Sequence, residues 1–430
     1  MSQPKKKIAV IGSGISGLST AWLLSQTAEV HMFEKDDRIG GHSNTQMVGD
    51  VPVDTGFIVF NPPNYPNLVN LFKKLDVETA PTNMGFSVSR NNGEFEYSGN
   101  GIGGLFAQKR NWFNPKFYKM VWDILRFYKN HKKIEASLDE HTTLRELFKQ
   151  YKFSDSFVND HIIPMSAAIW STPADQMLNY PAKAYLNFCA NHGLLQLKER
   201  PQWFTVVGGS KQYVHKIIEP YKENIHLNCA IKTIKRFDDK VVIVDRQSNE
   251  YEFDDVVLAC HSDQALSLLE EPTEQESALL SQFPYQRNRA ILHTDESLMP
   301  IRKKAWAPWS YLYDKQSENI CVSYWMNELQ PLKTDQNIFV TLNPTHEPKS
   351  DSIVASFLYD HPCFNEQTSI NQKQLWSLQG KKRTWFCGAY FGFGFHEDGL
   401  QSGLAVAEQL GGKNRPWEFD ESQSRITVHK

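Results

Sequence analysis

Several signatures of common enzyme and export classes are missing from this sequence. Its six cysteines include no CxxC pair, and it has neither a His-Glu-x-x-His zinc motif nor a Gly-x-Ser-x-Gly nucleophile elbow. No run of about 18 apolar residues is present, so we expect no membrane-spanning helix. The formal net charge is −3, which gives the whole molecule no electrostatic reason to bind nucleic acid. Zinc chemistry, serine hydrolysis and nucleic-acid binding therefore have no support in the sequence.

We expect neither disulfides nor an export signal. In a chain of 430 residues, six scattered cysteines are expected to be free thiols of a reducing compartment. Residues 1–7 are polar and basic, and the apolar residues after them belong to a glycine-rich loop, so we predict no signal peptide. We expect a cytoplasmic protein, with peripheral contact at the inner face of the membrane left open.

The composition that is present supports a large core. With 40% hydrophobic and 22% charged residues, the chain has the balance of a folded protein, and its length predicts about two domains. Aromatic residues make up 12% of the sequence, so they either line a large apolar cavity or fill a bulky core.

A dinucleotide-binding pattern opens the chain. The apolar run at 7–11 is typical of a buried parallel strand, 18–25 has the composition of a helix, and a second apolar run at 29–33 ends at Glu34. Between the first strand and the helix lies GSGISG, residues 12–17. This is a complete strand–turn–helix–strand context for a pyrophosphate site.

Each residue type in this pattern has a physical reason. Gly12 allows a tight turn, Gly14 lets the backbone approach a pyrophosphate, and Gly17 lets helix and strand pack closely. The N-terminus of the helix would face the phosphates with its positive dipole end. The carboxylate of Glu34 would hold a ribose hydroxyl pair and disfavours NADP.

The segment after Glu34 resembles a known family. Arg38, Gly40, Gly41 and His42 form RIGGH, and Asp54-Thr55-Gly56 follows. These residues resemble the R-x-G-G and D-x-G motifs of the flavin amine oxidase and phytoene desaturase group, which has the fold of the glutathione reductase superfamily. The resemblance implies FAD as the cofactor.

Three later segments match the same group in the same order. A Gly-Gly-Ser at 208–210 precedes a helix, a β-meander at 231–253 precedes an apolar strand, and 385–410 resembles the C-terminal strand, glycine turn and helix that hold the flavin. We predict that this last helix begins near Gly399 and that its dipole stabilises negative charge on the reduced ring. The implied FAD contacts are Gly12, Gly14, Ile15, Ser16, Gly17, Glu34, Lys35, Arg38, Gly40, Gly41, His42, Asp54, Gly56, Ile231, Gly388, Asp398, Gly399 and Leu400.

The chain departs from the group at informative positions. Ala389 follows Gly388 where many relatives have an acid, and Asp398 stands where glycine is frequent. Residues 284–295 contain no lysine, whereas amine oxidases usually carry one near the flavin, and this counts against oxygen-linked amine oxidation. A second GxGxxG at 99–104 lacks the flanking strands, so we predict a flexible loop there and no nicotinamide site.

The fold class predicted is α/β, with a Rossmann-type FAD-binding domain interleaved with an α+β substrate domain built on a mixed sheet. The FAD-binding domain would combine 1–75, 205–272 and 375–412. The substrate domain would combine 76–204 and 273–374, and 413–430 would be a poorly ordered tail.

A narrower resemblance concerns function. Residues 164–173, 191–195, 200–210, 292–300 and 390–405 resemble a bacterial FAD-dependent branch associated with cyclopropane and methyl or furan fatty acid synthesis. It implies dehydrogenation of a methyl-branched or unsaturated acyl chain of a phospholipid. Two alternatives stay open: an amine oxidase or carotenoid-type desaturase or isomerase, and a non-catalytic FAD-binding partner of a lipid methyltransferase.

Aromatic segments favour an apolar substrate, although any one of these residues is more often an ordinary core residue. The residues concerned are Ile169, Trp170, Trp203, Phe204, Trp306, Trp309, Tyr311, Tyr324 and Trp325. As a proton acceptor near the flavin we name His192, His396 and Glu397 as candidates.

A basic segment raises the question of membrane contact. Residues 105–135 contain eight Lys and Arg against one Asp and one Glu, a local charge of +6. Apolar residues recur there at helical spacing, which is typical either of a helix on an anionic membrane or of a helix packed on its own domain. The recurring residues are Phe117, Met120, Val121, Ile124, Leu125 and Tyr128.

Overall fold

The computed structural model describes residues 5–139, 141–170, 177–191, 193–196, 200–314 and 321–429. The strands are β1 Lys7–Ile11, β2 Glu29–Phe33, β3 Thr45–Val48, β4 Val51–Asp54, β5 Thr79–Thr82, β6 Phe86–Arg90, β7 Phe95–Ser98, β8 Trp203–Val206, β9 Ile225–His226, β10 Ile231–Arg236, β11 Val241–Asp245, β12 Glu250–Phe253, β13 Asp255–Leu258, β14 Tyr285–His293, β15 Trp309–Tyr313, β16 Cys321–Trp325, β17 Phe339–Leu342, β18 Ile353–Pro362 and β19 Thr384–Phe386.

Helices connect and cover these strands. They are α1 Ile15–Leu24, α2 Pro66–Lys74, α3 Gly101–Leu105, α4 Pro115–Ala136, α5 Leu144–Gln150, α6 Asp155–Phe157, α7 Ile163–Trp170, α8 Ala182–Asn191, α9 Lys211–Ile218, α10 Ser262–Leu268, α11 Glu274–Leu280, α12 Met326–Leu329, α13 Glu366–Leu375 and α14 His396–Gly411. A π-helical turn at Val158–Ile162 joins α6 to α7.

The nucleotide-binding pattern forms the centre of a parallel sheet. Its five strands lie in the order β19-β13-β1-β2-β9, and every neighbouring pair is parallel. Residues 8–11 of β1 and all of β13 are buried, as expected for strands covered on both faces. The sheet draws on three separate stretches of the chain. The domain boundaries given above stay a prediction.

Close helix packing holds the cofactor-binding side together. Helix α14 crosses α1 so tightly that a Cβ on Gly403 would lie 2.3 Å from the carbonyl oxygen of Ser16. The hydroxyl of Thr20 on α1 donates to the carbonyl of Gly403 at 3.0 Å. This contact brings the N-termini of the two helices to the same place.

A meander and a mixed sheet accompany the parallel sheet, together with the two-stranded sheets β3-β4 and β5-β8. Strands β10, β11 and β12 form the predicted meander. A seven-stranded sheet has the order β18-β14-β17-β16-β15-β6-β7, in which only the β15–β6 pair is parallel. This mixed sheet matches the predicted fold class.

Helix α4 packs one face on its own domain. Phe117 and Met120 lie in a cluster with Val88 and Tyr97 of β6 and β7, and Tyr128 packs in a neighbouring helical cluster. The face predicted from helical spacing is therefore covered by protein, although Leu125 belongs to the exposed side.

Two predictions about local order were wrong. The second GxGxxG is not a loop, because it contains helix α3, which follows a strand paired antiparallel with β6. The tail after residue 412 packs on the protein: Trp417 stacks on Trp22 with ring centres 6.0 Å apart, and Ile426 is buried. Polar composition alone does not reveal these long-range contacts.

The remaining negative expectations concern membranes and metals. Across the described ranges, no helix is long and apolar enough to cross a membrane. In the same part of the chain, no group of three or more His, Cys, Asp or Glu side chains is placed to hold a metal ion.

Candidate cofactor and substrate site

A cavity of about 1030 Å³ lies between the parallel sheet and the mixed sheet. Its walls include the glycine loop after β1, the end of β2, the start of α14 and side chains from β14 to β18. The volume is at the upper end of the roughly 300–1,000 Å³ typical of small-molecule sites. It can therefore accept an extended cofactor.

The glycine loop has the geometry that its sequence predicts. Gly12 has a φ of +103°, and a Cβ there would lie 2.7 Å from the carbonyl oxygen of Ala259. A Cβ on Gly17 would lie 2.0 Å from the carbonyl oxygen of Gly12. By contrast, a Cβ on Gly14 would meet nothing within 4 Å, and Gly14 lines the cavity. Gly12 and Gly17 shape the loop, whereas Gly14 leaves open space.

Helix α1 presents a free N-terminus to this space. Its N-cap residue is Gly14, which offers no side-chain cap, and the first turn carries no acid. Ile15 and Ser16 line the cavity. Backbone N–H groups at a helix start attract anions, so the end of α1 is suited to a phosphate.

Glu34 lies at the end of β2 and is buried at the cavity wall. Its carboxylate accepts hydrogen bonds from the backbone N–H of Ser13 at 3.0 Å, from the Ser13 hydroxyl and from the backbone N–H of Asp36 at 3.1 Å. Glu34 therefore fixes the glycine loop against β2. Lys35 and Ile231, at the start of the meander, line the same end of the cavity.

The RIGGH segment lies directly on the glycine loop. The N–H of Gly40 donates to the carbonyl of Ser13 at 3.0 Å, and a Cβ on Gly41 would lie 2.9 Å from the Cα of Gly14. Arg38 Nη1 and His42 Nε2 are buried and have no hydrogen-bond partner in the protein. Both residues line the cavity. Because unpaired buried donors are costly, these two nitrogens mark the wall where a polar ligand belongs.

Burial keeps His42 uncharged. Removal from solvent lowers the pKa of His42 well below its usual value, and the nearby His361 lowers it further. The ring packs 5.0 Å from that of Tyr359, whose hydroxyl is held by Asn44 and Thr55. A neutral imidazole in this position can donate or accept one hydrogen bond to a ligand.

The start of α14 forms the opposite wall. Gly388 and Gly399 line the cavity, and a Cβ on Gly399 would lie 2.9 Å from the side chain of Ile15. The helix begins at His396, three residues earlier than Gly399, where the sequence placed it. Gly56 also lines the cavity, but Leu400 is buried in the core and does not.

Asp54 does not reach the cavity. Its buried carboxylate accepts from the backbone N–H of Ser210 at 2.9 Å, the Ser210 hydroxyl at 2.7 Å and the Gln330 amide at 3.0 Å. Asp54 therefore caps the start of α9. It holds the backbone next to the cavity in place without contacting the cavity itself.

Asp398 has a similar supporting position. Its carboxylate accepts from the backbone N–H groups of Phe393 at 3.1 Å and Phe395 at 2.8 Å, and Arg425 of the C-terminal tail lies 3.5 Å away. Burial raises the pKa of Asp398. The carboxylate fixes the loop that enters α14 and does not line the cavity.

The catalytic candidates have structural surroundings. Glu397 is fully buried and accepts from the Asn67 N–H at 3.0 Å, the Leu68 N–H at 3.0 Å and the Gln401 amide at 3.0 Å, so it caps the start of α2. It does not line the cavity. His192 lies outside the described residues.

His396 lines the cavity but is engaged by the protein. Its ring stacks on Phe57 with centres 3.9 Å apart, and Nε2 lies 2.8 Å from the hydroxyl of Tyr213. Burial lowers the pKa of His396 to about 3, which leaves the imidazole neutral. A neutral ring with an occupied nitrogen favours a packing role over proton abstraction.

The part of the cavity away from the glycine loop is called here the substrate half. It is lined by Tyr65, Thr82, Asn83, Met84, Gly85, Phe86, Tyr97, Gly99, Tyr128, His161, Met165, Phe188, Gly193, Leu194, Arg200, Pro201, Gln202, Trp203, Trp309, Tyr324 and Leu342. None of these described residues is Asp, Glu or Lys. The acids on the rest of the cavity wall are Glu34 and Asp36 after β2, and Asp360 of β18, which pairs with Arg287 at 3.0 Å. The surface of the substrate half is apolar and aromatic, with one cation.

Some of the aromatic residues singled out from the sequence line this half. Trp203, Trp309 and Tyr324 do, and the last two meet edge to face at 5.5 Å. The side chains of Ile169 and Trp170 lie outside the described part of the structure. Phe204, Trp306, Tyr311 and Trp325 pack elsewhere in the core.

A buried polar chain that sequence reasoning missed lies at the outer end of the substrate half. His161 Nδ1 lies 3.0 Å from the Tyr97 hydroxyl and Nε2 lies 3.1 Å from the Tyr128 hydroxyl. The Tyr97 hydroxyl donates to the Asp160 carbonyl, so it accepts from Nδ1–H, and Nε2 accepts from Tyr128. Burial lowers the pKa of His161 to about 3. His161 lies in the π-helical turn, and a turn of this kind cannot be predicted from composition, so the sequence carried no signal for this chain.

The sequence matches the profile of a family described as flavin containing amine oxidoreductase over residues 15–330, which is most of the chain. The chain belongs to this family. Prenylcysteine oxidase 1 of Homo sapiens is 25% identical over 260 residues, which cover 52% of this chain and 47% of that protein. The chain spans about half the length of the curated relatives it matches.

Solved structures share the fold. A putrescine oxidase superposes with a TM-score of 0.69 at 12% identity, covering 95% of this chain and 99% of the other. A CLA-producing fatty acid isomerase from P. acnes superposes with a TM-score of 0.65 at 15% identity, covering 94% of this chain and 98% of the other. At such identities the likeness shows the fold alone.

As a flavin amine oxidoreductase, the protein uses FAD, and its cavity fits that cofactor. The free N-terminus of α1, the open space at Gly14 and the unpaired nitrogens of Arg38 and His42 suit the pyrophosphate. Glu34 lines the cavity where the ribose of the adenosine part of FAD would be held. Bound FAD would then extend from this end toward the start of α14.

Proposed function

We propose that this flavin amine oxidoreductase dehydrogenates a methyl-branched or unsaturated fatty acyl chain of a phospholipid. The observation that carries the proposal is the chemistry of the substrate half, which is apolar and aromatic and has no carboxylate among its described lining residues. An acyl chain gains free energy by leaving water for such a surface.

The charge of the substrate half argues against a cationic substrate. An ammonium group needs a carboxylate partner when it is buried, because an unpaired buried charge is expensive. The described residues of the substrate half offer none, and Asp360 elsewhere on the cavity wall is already paired with Arg287 at 3.0 Å. The substrate half instead includes Arg200, which would repel a cation. Arg200 is exposed although it lines the cavity, so it marks a mouth where an anionic headgroup or ester would be held.

The protein would act mainly by positioning. Bound FAD supplies the two-electron oxidation, in which a hydride and a proton leave adjacent carbons and a double bond forms. Trp203, Trp309 and Tyr324 would hold the chain in a dry channel. Since Glu397 and His396 are engaged by neighbouring groups, we do not assign either as the base.

Two resemblances support the proposal without deciding it. One protein of this fold is named a fatty acid isomerase, so the fold accommodates an acyl substrate in at least that protein. The sequence also resembles the bacterial branch associated with cyclopropane and methyl fatty acid synthesis. We therefore include in the proposal a functional partnership with a lipid methyltransferase, which would install the branch that activates the neighbouring C–H bond.

The test is a single-turnover reduction under anaerobic conditions. FAD-loaded protein is mixed with detergent-dispersed phospholipids that carry methyl-branched unsaturated chains, and the long-wavelength flavin absorbance is followed. We expect bleaching and a lipid product lighter by two hydrogens. Straight saturated phospholipids are the matched control and should leave the flavin oxidised. An unchanged spectrum with every branched or unsaturated lipid would refute the proposal.

A second candidate, amine oxidation, is favoured by the family match itself. The same anaerobic assay with diamines and cyclic amines tests it. Rapid bleaching by an amine but by no lipid would replace the first proposal with this one. The absence of lysine among the described residues of the substrate half leads us to expect slow reaction of the reduced enzyme with oxygen.

A further inference from the structure

Large apolar side chains are exposed on α3, on the helical turn at Lys109–Phe113 and on α4. Ile102 is 73% exposed, Phe113 is 89% exposed and Trp122 is 62% exposed. Trp112, Tyr118 and Leu125 are exposed as well. These six residues are called here the aromatic patch. Exposed apolar groups scattered singly need no explanation, but a cluster of this kind marks an interaction surface.

Contacts and helical spacing connect members of the patch. Trp112 stacks on Phe106 with ring centres 3.9 Å apart, and the Tyr118 hydroxyl donates to the Trp112 carbonyl at 3.1 Å. Tyr118, Trp122 and Leu125 follow one another at i, i+4 and i+7 on α4, so they share one face of the helix. This face is opposite to the one that packs on the mixed sheet.

A basic groove of about 820 Å³ borders the patch. Ile102 and Trp112 line both the groove and the patch, and the cations that line the groove are Lys109, Arg110, Arg302, Lys303 and Lys304.

Ion pairing leaves much of this charge free. Arg302 is paired with the buried Glu96 at 2.8 Å, and Lys303 with Glu296 at 3.2 Å. Within the described part of the chain, Lys109, Arg110 and Lys304 have no ion pair. The groove is therefore suited to anions beside an apolar surface.

We propose that the aromatic patch and the basic groove together dock the protein on an anionic phospholipid bilayer. Aromatic rings that lie beside Lys and Arg match the two layers of the interface, since the rings enter the headgroup and acyl boundary while the cations meet the phosphates. Lysine is depleted in protein–protein interfaces, so the three lysines of the groove favour an anionic bilayer over a protein partner.

The docking surface and the cavity draw on the same or adjacent elements. Tyr128, which lines the substrate half, is on the same helix α4 as Trp122, and Gly99, also a lining residue, lies just before α3, which carries Ile102. Docking would thus present the cavity to lipid. Access of a lipid substrate to the cavity rests on the proposed function, whereas binding of the protein to a bilayer does not depend on catalysis.

The experiment is co-sedimentation of full-length FAD-loaded protein with vesicles of phosphatidylglycerol and phosphatidylcholine, compared with pure phosphatidylcholine. We expect binding to the anionic vesicles that falls with salt. The variant Lys109→Gln/Arg110→Gln should bind roughly 25-fold more weakly, at about fivefold for each basic residue. The variant Trp112→Ser/Phe113→Ser should also lose most of its binding.

Matched controls remove the same groups elsewhere. Lys73→Gln/Lys74→Gln removes two exposed cations from the end of α2, and Phe237→Ser removes an aromatic ring about as exposed as that of Trp112. Both controls should bind as the unaltered protein does. Equal binding by all variants, or no binding to anionic vesicles, would overturn the proposal. If the protein instead self-associates and the variant Trp112→Ser/Phe113→Ser does not, the patch is an interface between copies of the chain.

The anaerobic assay with detergent-dispersed lipid separates this inference from the proposed function. Flavin reduction by dispersed lipid without vesicle binding would refute the docking surface alone. Vesicle binding without reduction by any lipid would refute the proposed function alone.

Discussion

Replacement of Gly14 by alanine separates folding from cofactor binding. Gly14 has φ −67° and ψ 177°, which alanine adopts without strain, and the added Cβ would meet no protein atom within 4 Å. The stability of the apoprotein should therefore stay within about 0.5 kcal/mol of the unaltered value. The new methyl group would instead enter the space at the N-terminus of α1, where the pyrophosphate is expected.

The effect on FAD follows from that geometry. Inserting a methyl group into a close contact costs about 1–3 kcal/mol, which corresponds to a roughly 5- to 150-fold weaker Kd for FAD. Titration of apoprotein with FAD by fluorescence measures the Kd, and thermal unfolding of the same apoprotein measures stability. A Gly14→Ala variant that binds FAD as tightly as the unaltered protein would refute the assignment of this loop to the pyrophosphate.

Two further glycines provide controls for this experiment. A Cβ on Gly103 would likewise meet nothing within 4 Å, but Gly103 lies in α3, so Gly103→Ala should change neither FAD affinity nor stability by much. Gly17→Ala would place its Cβ 2.0 Å from the carbonyl oxygen of Gly12, a backbone atom that must then move. That variant should lose both stability and FAD.

Three other predictions concern buried or charged side chains. Glu397→Gln should lower the free energy of unfolding by about 1–3 kcal/mol, because an amide cannot accept all the hydrogen bonds that the carboxylate accepts. The rate of flavin reduction should stay the same. A large loss of this rate at an unchanged melting temperature would instead identify Glu397 as a catalytic base. Arg200→Gln should raise KM for an anionic lipid up to about fivefold with kcat little changed, and an equal change for neutral lipids would contradict the headgroup role. His161 and His396 each have a pKa of about 3 in the folded protein, against a value near 6.5 in the unfolded chain. Each therefore binds fewer protons in the folded state than in the unfolded state. The free energy of unfolding should fall as the pH drops below about 6.5, by about 2 kcal/mol per histidine at pH 5. Thermal unfolding between pH 5 and 7.5 tests this, and His396→Phe should reduce the slope.

The cofactor-binding fold could be predicted because its requirements are local. A tight turn at Gly12 with positive φ, close packing at Gly17 and a buried strand before them are encoded within about a dozen residues. The meander and the C-terminal helix were predicted from the resemblance to the family. Local patterns of this kind do not depend on which distant segment folds beside them.

The roles of buried acids could not be predicted, because their partners are remote in sequence. Glu397 and Asn67 are 330 positions apart, and Asp54 and Ser210 are 156 apart. Proximity to a cofactor motif in sequence made both acids look like ligand or catalytic groups. The structure instead places each at the start of a helix whose N–H groups would otherwise be unpaired.

The exposed aromatic patch also could not be predicted from local patterns in the sequence. Helical spacing on α4 identified the apolar face that packs on the mixed sheet, and it assigned Leu125 to that face although the side chain is exposed. The short helical turn at Lys109–Phe113 presents Trp112 and Phe113 to solvent, and no periodic pattern in five residues reveals this. The patch draws on α3, this turn and α4 together.

The buried carboxylates around the cavity give a common physical account of how the site is held open. Asp54 fixes the start of α9, Glu397 the start of α2 and Asp398 the loop into α14, and none of the three lines the cavity. The acids of this region thus hold backbone N–H groups in place, while the cavity wall itself stays apolar toward the substrate. Because an acid inside the substrate half would instead favour an ammonium ligand, the placement of these carboxylates behind the wall supports our proposal of an acyl substrate.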